Sequence, residues 1–262
     1  MFMENKVAIV DKVWADQISL FIFQIVAHIG LIWGIFNFHW YEWFVVLFVY
    51  FLTGCLGVSI TYHRLLSHAA FESKYAWWEK VGTGLAAWGL VGSSIGWVNT
   101  HKNHHRYVDK EGDPHSPGVL GFMKVQWFSM FLTPKNLRLV VRMVRDEFHQ
   151  KIHKGYFLTH YLVFVFLWAF FGWHITALVY LAPAAVLWNA GSLINTWGHT
   201  KFLTYRNHDT PDSSQNNYLL GYTVWGEGWH NNHHNKASKS YFGEKPWEFD
   251  LSGWIIDKFL RK

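Results

Sequence analysis

Between Lys154 and Lys201 the chain carries no aspartate, glutamate, lysine or arginine. A membrane crossing needs about 20 largely apolar residues, so this stretch is long enough for two. It divides into spans over 156–173 and 176–197, with a turn near Gly172, Trp173 and His174. Pro183 falls inside the second, where a proline kinks a helix. Residues 18–38, interrupted only by His28, and the uncharged residues 43–62 meet the same requirement. Residues 81–100 are also uncharged but weakly hydrophobic and glycine-rich, and read as a buried or interfacial helix. Composition agrees: 51% of residues are apolar, 19% aromatic and only 16% charged, against about 25% charged in a soluble domain.

Sidedness follows from the basic residues. The turns at 37–42 and around His174 contain no Lys or Arg, so all 23 basic residues lie on the other side. That asymmetry places both termini and both long polar segments, 63–155 and 198–262, in the cytoplasm. The expectation is an all-α integral membrane protein, a single domain over 1–262, with four transmembrane helices in two hairpins and a cytosolic helical cap. Within the cap, 140–153 reads as helix and 207–216 as loop. The net charge of +5 reflects basic flanks of membrane spans; no nucleic-acid module or basic stripe is present. Residues 1–12 include Glu4 and Asp11 and lack the pattern of a cleaved leader. The single cysteine, Cys55, excludes an internal disulfide framework and a cysteine-ligated cluster.

Two copies of His-x-x-His-His occur, at His101, His104, His105 and at His230, His233, His234. With 17 histidines in 262 residues, chance gives about 0.07 copies. On a helix these offsets fall within about 100° of arc, so the three imidazoles of each cluster are expected to face one locus. His63 and His68 follow directly on the second span, and sidedness puts all three clusters at one membrane surface. His199 ends the fourth span at the same level, and Asn195 lies one turn earlier. Eight or nine nitrogens are too many for one ion, so two ions with four or five ligands each fit better. Imidazole suits iron, copper, zinc and nickel alike. For His28, His39, His149, His153, His160, His174 and His208, isolated in sequence, a hydrogen-bonded structural role is expected.

These residues resemble the membrane-bound fatty acyl desaturases of the Δ9 acyl-lipid and acyl-CoA type. Tyr62-His63-Arg64-Leu65-Leu66-Ser67-His68 is similar to that family's first box. His101 to His105, followed by Asp113-Pro114-His115-Ser116, is similar to its second, and Gly226-Glu227-Gly228-Trp229-His230-Asn231-Asn232-His233-His234 to its third. Asn195-Thr196-Trp197-Gly198-His199 resembles the Asn and His that precede the third box. The resemblance implies two irons held by His63, His68, His101, His104, His105, His199, His230, His233 and His234, with Asn195 reaching metal through a water. It implies O2 as co-substrate, catalysis by the di-iron centre itself, and an acyl chain carried on lipid, CoA or carrier protein. No His-Pro-Gly-Gly segment of a fused cytochrome b5 is present, so the expected electron donor is a separate ferredoxin or cytochrome b5. Asp109, Asp113 and Glu227 are candidate ring partners, weighed against surface or capping roles. Trp97, Trp188, Trp197 and Trp225 are candidate walls of an acyl tunnel, weighed against plain packing. The competing functions are a membrane di-iron hydroxylase, which would yield an alcohol, and a metal transporter, which needs polar residues along its path through the bilayer.

Overall fold

The computed structural model describes residues 13–128 and 136–262, with only the backbone of 13–16. The amino-terminal stretch 1–12, where the leader question arises, lies outside the described residues. Helix α1 (Val13–Asn37) is joined by a 3-10 turn, Trp40–Glu42, to α2 (Trp43–Tyr50). Helix α2 runs on without a break as a wider π-helix, Phe51–Ser67. The second span therefore extends past the expected end at Tyr62, and His63 is carried by the helix itself. The widening shows in hydroxyls bonded five residues back, Thr61 to the Leu56 carbonyl (2.9 Å) and Ser67 to the Tyr62 carbonyl (2.7 Å). π-Turns inside α-helices are frequent at functional sites.

The 81–100 stretch is not one helix. It divides into α3 (Trp78–Trp88) and α4 (Ser94–Tyr107), separated by a turn in which Leu90 and Gly92 have positive φ. Ser93 caps α4, its hydroxyl accepting from the Gly96 N–H. Helix α3 lies close against the π-helix: a Cβ at Gly57 would stand 2.4 Å from the Ala86 backbone nitrogen. Short helices α5 (Pro117–Leu120), α6 (Phe122–Phe128) and α7 (Val141–Arg145) follow. The helix expected over 140–153 is broken at Asp146, which is extended and caps α8 (Glu147–Thr176) by accepting from the Phe148 and His149 N–H groups. Helix α8 thus begins before the expected 156.

At Gly172 the backbone takes φ 75° and ψ 175°, which ends the helical path where the sequence placed a turn. The π-turn Ala177–Leu181 and α9 (Ala182–Trp197) follow, Pro183 standing at the start of α9. His160 Nδ1 and the Tyr180 hydroxyl, 20 positions apart, meet at 2.6 Å; a straight helix would hold them about 30 Å apart. The chain has doubled back. Three stretches, Gln17–Asn37, Trp40–Ser67 and Glu147–Trp197, are long and apolar enough to cross a membrane.

The carboxy-terminal part is not purely α. Two-residue strands β1 (Thr204–Tyr205) and β2 (Asn216–Asn217) pair antiparallel and close the 207–216 loop. Then come α10 (Tyr218–Thr223), α11 (His230–Asn235) and α12 (Leu251–Ile255), extended by a π-turn, Ile256–Leu260. The main core joins the π-helix to this region through residues such as Cys55, Ile60, Leu187, Trp225 and Ile256. Most of the isolated histidines have local partners: His28 meets Gln24 and Asn189, His149 meets Ser94 and Glu79, His153 meets Ser93, His174 meets Glu42, and His208 meets Glu244. The His39 ring stacks on Tyr41 at 5.3 Å.

Candidate metal centre

Nine imidazoles form two adjacent groups. His63, His68, His101, His105 and His233 make one; His104, His199, His230 and His234 make the other. Within each group, one nitrogen per ring lies within 4.8 Å of all the others. His63 sits near the end of the π-helix and His68 caps it; α4 and α11 carry one triad each, and His199 lies just beyond α9. Each triad is divided between the groups, contrary to the expectation of one locus per triad. The reason is helical phase. Residues i and i+4 are about 40° apart on the helix, and i+3 lies about 60° to the other side of i. His101 and His105 therefore share a group while His104 points to its neighbour, and His230 and His234 share a group while His233 crosses over. Rings of the two groups touch, His105 and His234 stacking at 4.7 Å.

The nitrogens are arranged for a cation. His63 Nε2 lies 3.1 Å from His233 Nε2, which lies 3.0 Å from His105 Nε2; His68 and His101 meet at 2.7 Å, and His199 and His230 at 3.1 Å. Ligands about 2.1 Å from one ion and at right angles to each other are ~3.0 Å apart. Buried Nε2 atoms of His104 and His234 have no hydrogen-bond partner among the described residues. Burial first, and then repulsion from neighbouring imidazoles, pushes His68 down to about 2 and holds His101, His105, His230, His233 and His234 far below the usual histidine range. These rings stay neutral near pH 7, with lone pairs free to bind metal. The donor set fits iron, and equally the other imidazole-binding metals.

Carboxylates hold the outer ring nitrogens. His63 Nδ1 lies 2.7 Å from Glu227, His104 Nδ1 2.9 Å from Asp113, His234 Nδ1 3.2 Å from Asp212 and His199 Nδ1 3.5 Å from Asp109. An N–H donated outward turns the other nitrogen inward as a lone pair. Glu227, Asp113 and Asp109 thus lie beside the outer nitrogens of His63, His104 and His199. Burial works to raise Glu227, but His63 and Arg64 outweigh it and hold the carboxyl at about 2. Arg64, fully buried, bonds Glu227 at 3.0 Å and Asp250 at 2.7 Å and stacks on Phe242 at 3.8 Å. Burial also raises Asp250 against the pull of Arg64. Sequence reasoning missed Asp212, Arg64 and Asp250. Asp212 and His234 are 22 positions apart across a loop, and no spacing rule joins them. Arg64 was readable only as a neighbour of His63.

An apolar cavity, about 870 Å3 counting the open space at its mouth, reaches His63, His101 and His230. Trp97, Trp188 and Trp225 line it, together with Gly54, Leu187 and Gly191. Trp197 does not; it packs against Phe202 at 5.1 Å, on another face of α9. Asn195 lines the cavity as well. His115 also lines the cavity, 5.3 Å from the His104 ring, with its buried Nδ1 unpartnered among the described residues.

The fatty acid desaturase family profile matches residues 41–242. Delta-9 acyl-lipid desaturase 1 of Arabidopsis thaliana is 33% identical over 250 residues, covering 86% of this chain and 74% of the relative. The sn-1 stearoyl-lipid 9-desaturase of Anabaena variabilis is 30% identical over 241 residues, covering 89% of this chain and 86% of the relative. A chloroplastic palmitoyl-monogalactosyldiacylglycerol delta-7 desaturase of Arabidopsis thaliana is 32% identical over 86% of this chain, which spans 61% of that relative's length.

Proposed function

This chain belongs to the fatty acid desaturase family, and from that premise we propose that it is an O2-dependent di-iron enzyme placing a cis double bond in a saturated acyl chain. The observation that carries the reading is the pair of converging imidazole groups at one end of an apolar cavity. The Δ9 position and a lipid-borne substrate are favoured by the names of two relatives, an acyl-lipid and a stearoyl-lipid 9-desaturase.

Iron in these groups would supply the O2 chemistry needed to remove hydrogen from two unactivated methylenes. The chain's own residues supply the rest. The five-histidine group would hold one ion and the four-histidine group the other, with Asn195 as the expected further contact through a water. Glu227, Asp113, Asp212 and Asp109 fix ring orientation from outside. Trp97, Trp188 and Trp225 line the cavity, so an extended acyl chain lies in a dry slot beside both groups. Reaction position is then set by how far the chain enters. The electron donor expected for such an enzyme is a ferredoxin or cytochrome b5.

The doubling back at Gly172 supports four crossings, and the basic residues support cytoplasmic termini and a cytoplasmic metal site. The apolar side chains that α1 and α8 leave outward, such as Ile29, Phe36, Leu162 and Phe170, suit contact with lipid. Both histidine groups sit at one end of the bundle, which suits an enzyme better than a transport path. His104→Ala and His233→Ala are each expected to abolish double-bond formation and lower bound iron while the protein still inserts. Full activity in either variant would refute the reading, and an alcohol product would assign a hydroxylase instead.

A further inference from the structure

We propose that residues 217–229, on the cytoplasmic side by charge alone, dip into the bilayer as a re-entrant loop. Its outer face, Tyr218, Leu219 and Tyr222, would lie against lipid acyl chains. This rests on the reading of α1, α2, α8 and α9 as membrane helices.

The depth comes from contacts with α2. The Tyr50 hydroxyl donates to the Thr223 carbonyl at 3.4 Å, and the Tyr50 ring lies 4.4 Å from that of Trp225. A Cβ at Gly54 would stand 2.1 Å from the Trp225 ring, so the two segments are in close contact. Tyr50 precedes His63 by 13 positions in a continuous helix, roughly 15–20 Å along its axis. Side chains lean toward a helix's amino end, which carries the Tyr50 hydroxyl still farther from His63. With the histidines at the membrane surface, Thr223 and Trp225 reach about halfway through a core ~30 Å thick.

The path of the chain agrees. At the neck, the Asn217 N–H donates to the Gly228 carbonyl at 2.8 Å, and Asn216 bridges Trp229. Helix α10 descends from there and packs on α9. Trp225 (φ 52°) and Gly226 (φ 101°) reverse the direction, and Glu227 returns to the level of Ser59 and His63. Irregular backbone at membrane depth must be satisfied by protein. Here the Val224 and Gly226 N–H groups bond the Leu220 and Gly221 carbonyls, and the Trp225 carbonyl accepts from the Ser252 N–H at 3.1 Å.

The surface chemistry points to lipid as the occupant. No charged residue lies between Asp212 and Glu227. Leu220, Val224 and Trp225 are buried, whereas Tyr218, Leu219 and Tyr222 are about half exposed. Exposed Trp247, whose carbonyl accepts from the Tyr222 hydroxyl, lies under the Lys245 ammonium (5.4 Å), an aromatic–lysine pairing suited to the interface between headgroups and tails. The loop would then form the wall between bilayer and cavity, with lipid against Leu219 and substrate against Trp225.

Single nitroxide labels on a Cys55→Ala background test this in phosphatidylcholine vesicles. Labels at Leu219→Cys and Tyr222→Cys should relax with O2 and lose relaxation by a water-soluble nickel chelate, as at the span position Leu162→Cys. Lys239→Cys, on the cap, should relax with nickel. Nickel relaxation at 219 and 222 with 162 still protected would overturn the re-entrant loop alone. Nickel relaxation at 162 as well would overturn the membrane reading beneath it and the loop together.

Discussion

Glu227 serves three neighbours at once, the Ser59 hydroxyl donating to the same oxygen that meets Arg64. One carboxylate oxygen fixes the His63 ring at 2.7 Å, and the other meets the Arg64 guanidinium at 3.0 Å. The side chain is buried, so its charge is tolerated only through these partners. Outer partners of metal-binding histidines are typically worth about 10–100-fold in metal affinity or activity. Glu227→Gln should therefore weaken iron binding by about that factor, with the loss concentrated in the five-histidine group. Iron per chain, measured after dialysis against a chelator, checks this; unchanged retention would mean that the carboxylate does not hold the ring. Asp212→Asn makes the matching prediction for the four-histidine group, through His234. His63 was legible in the sequence because a motif marked it. Asp212 was not, because only the folded loop brings it to the ring.

At the scale of elements, the faces of α4, α9 and α11 decide the site. Helical phase makes each triad serve both groups; it was legible in the sequence, yet the broader arc concealed it. The long apolar helices and the Gly172 turn were readable because charge and hydrophobicity mark them directly. The break of 81–100 into two helices was not, since it depends on a turn held by the Tyr156 hydroxyl accepting from the Gly92 N–H. Trp197 was misplaced for a similar reason: which face of α9 meets the cavity is a packing outcome. That face presents Gly191, where an added Cβ would meet nothing within 4 Å. Gly191→Phe should fill part of the cavity and shift products toward shorter acyl chains. Gas chromatography of host lipids reads the shift; an unchanged chain-length profile would place the substrate elsewhere.

Over the whole molecule, holding so many neutral imidazoles together has a cost that depends on pH. His68 falls from an ordinary 6.5 to about 2, and His101, His105, His230, His233 and His234 move the same way. Below about pH 6.5 the unfolded chain takes up protons that the folded cluster refuses, so stability falls as pH falls. Above that pH these groups contribute no slope. Thermal unfolding of the metal-free protein in detergent should therefore give a flat midpoint above about pH 6.5 and a declining one below it; a midpoint that rises on acidification would contradict the buried, neutral cluster. The same neutrality prepares the lone pairs for metal, and bound iron should be lost on acidification as protons compete for the rings. The most direct test of the account is double-bond location by mass spectrometry in a host lacking unsaturated lipids. Expression of this chain should produce a cis double bond at the ninth carbon of lipid-borne acyl chains, absent with His104→Ala; saturated lipids alone, or a hydroxylated chain, would contradict it.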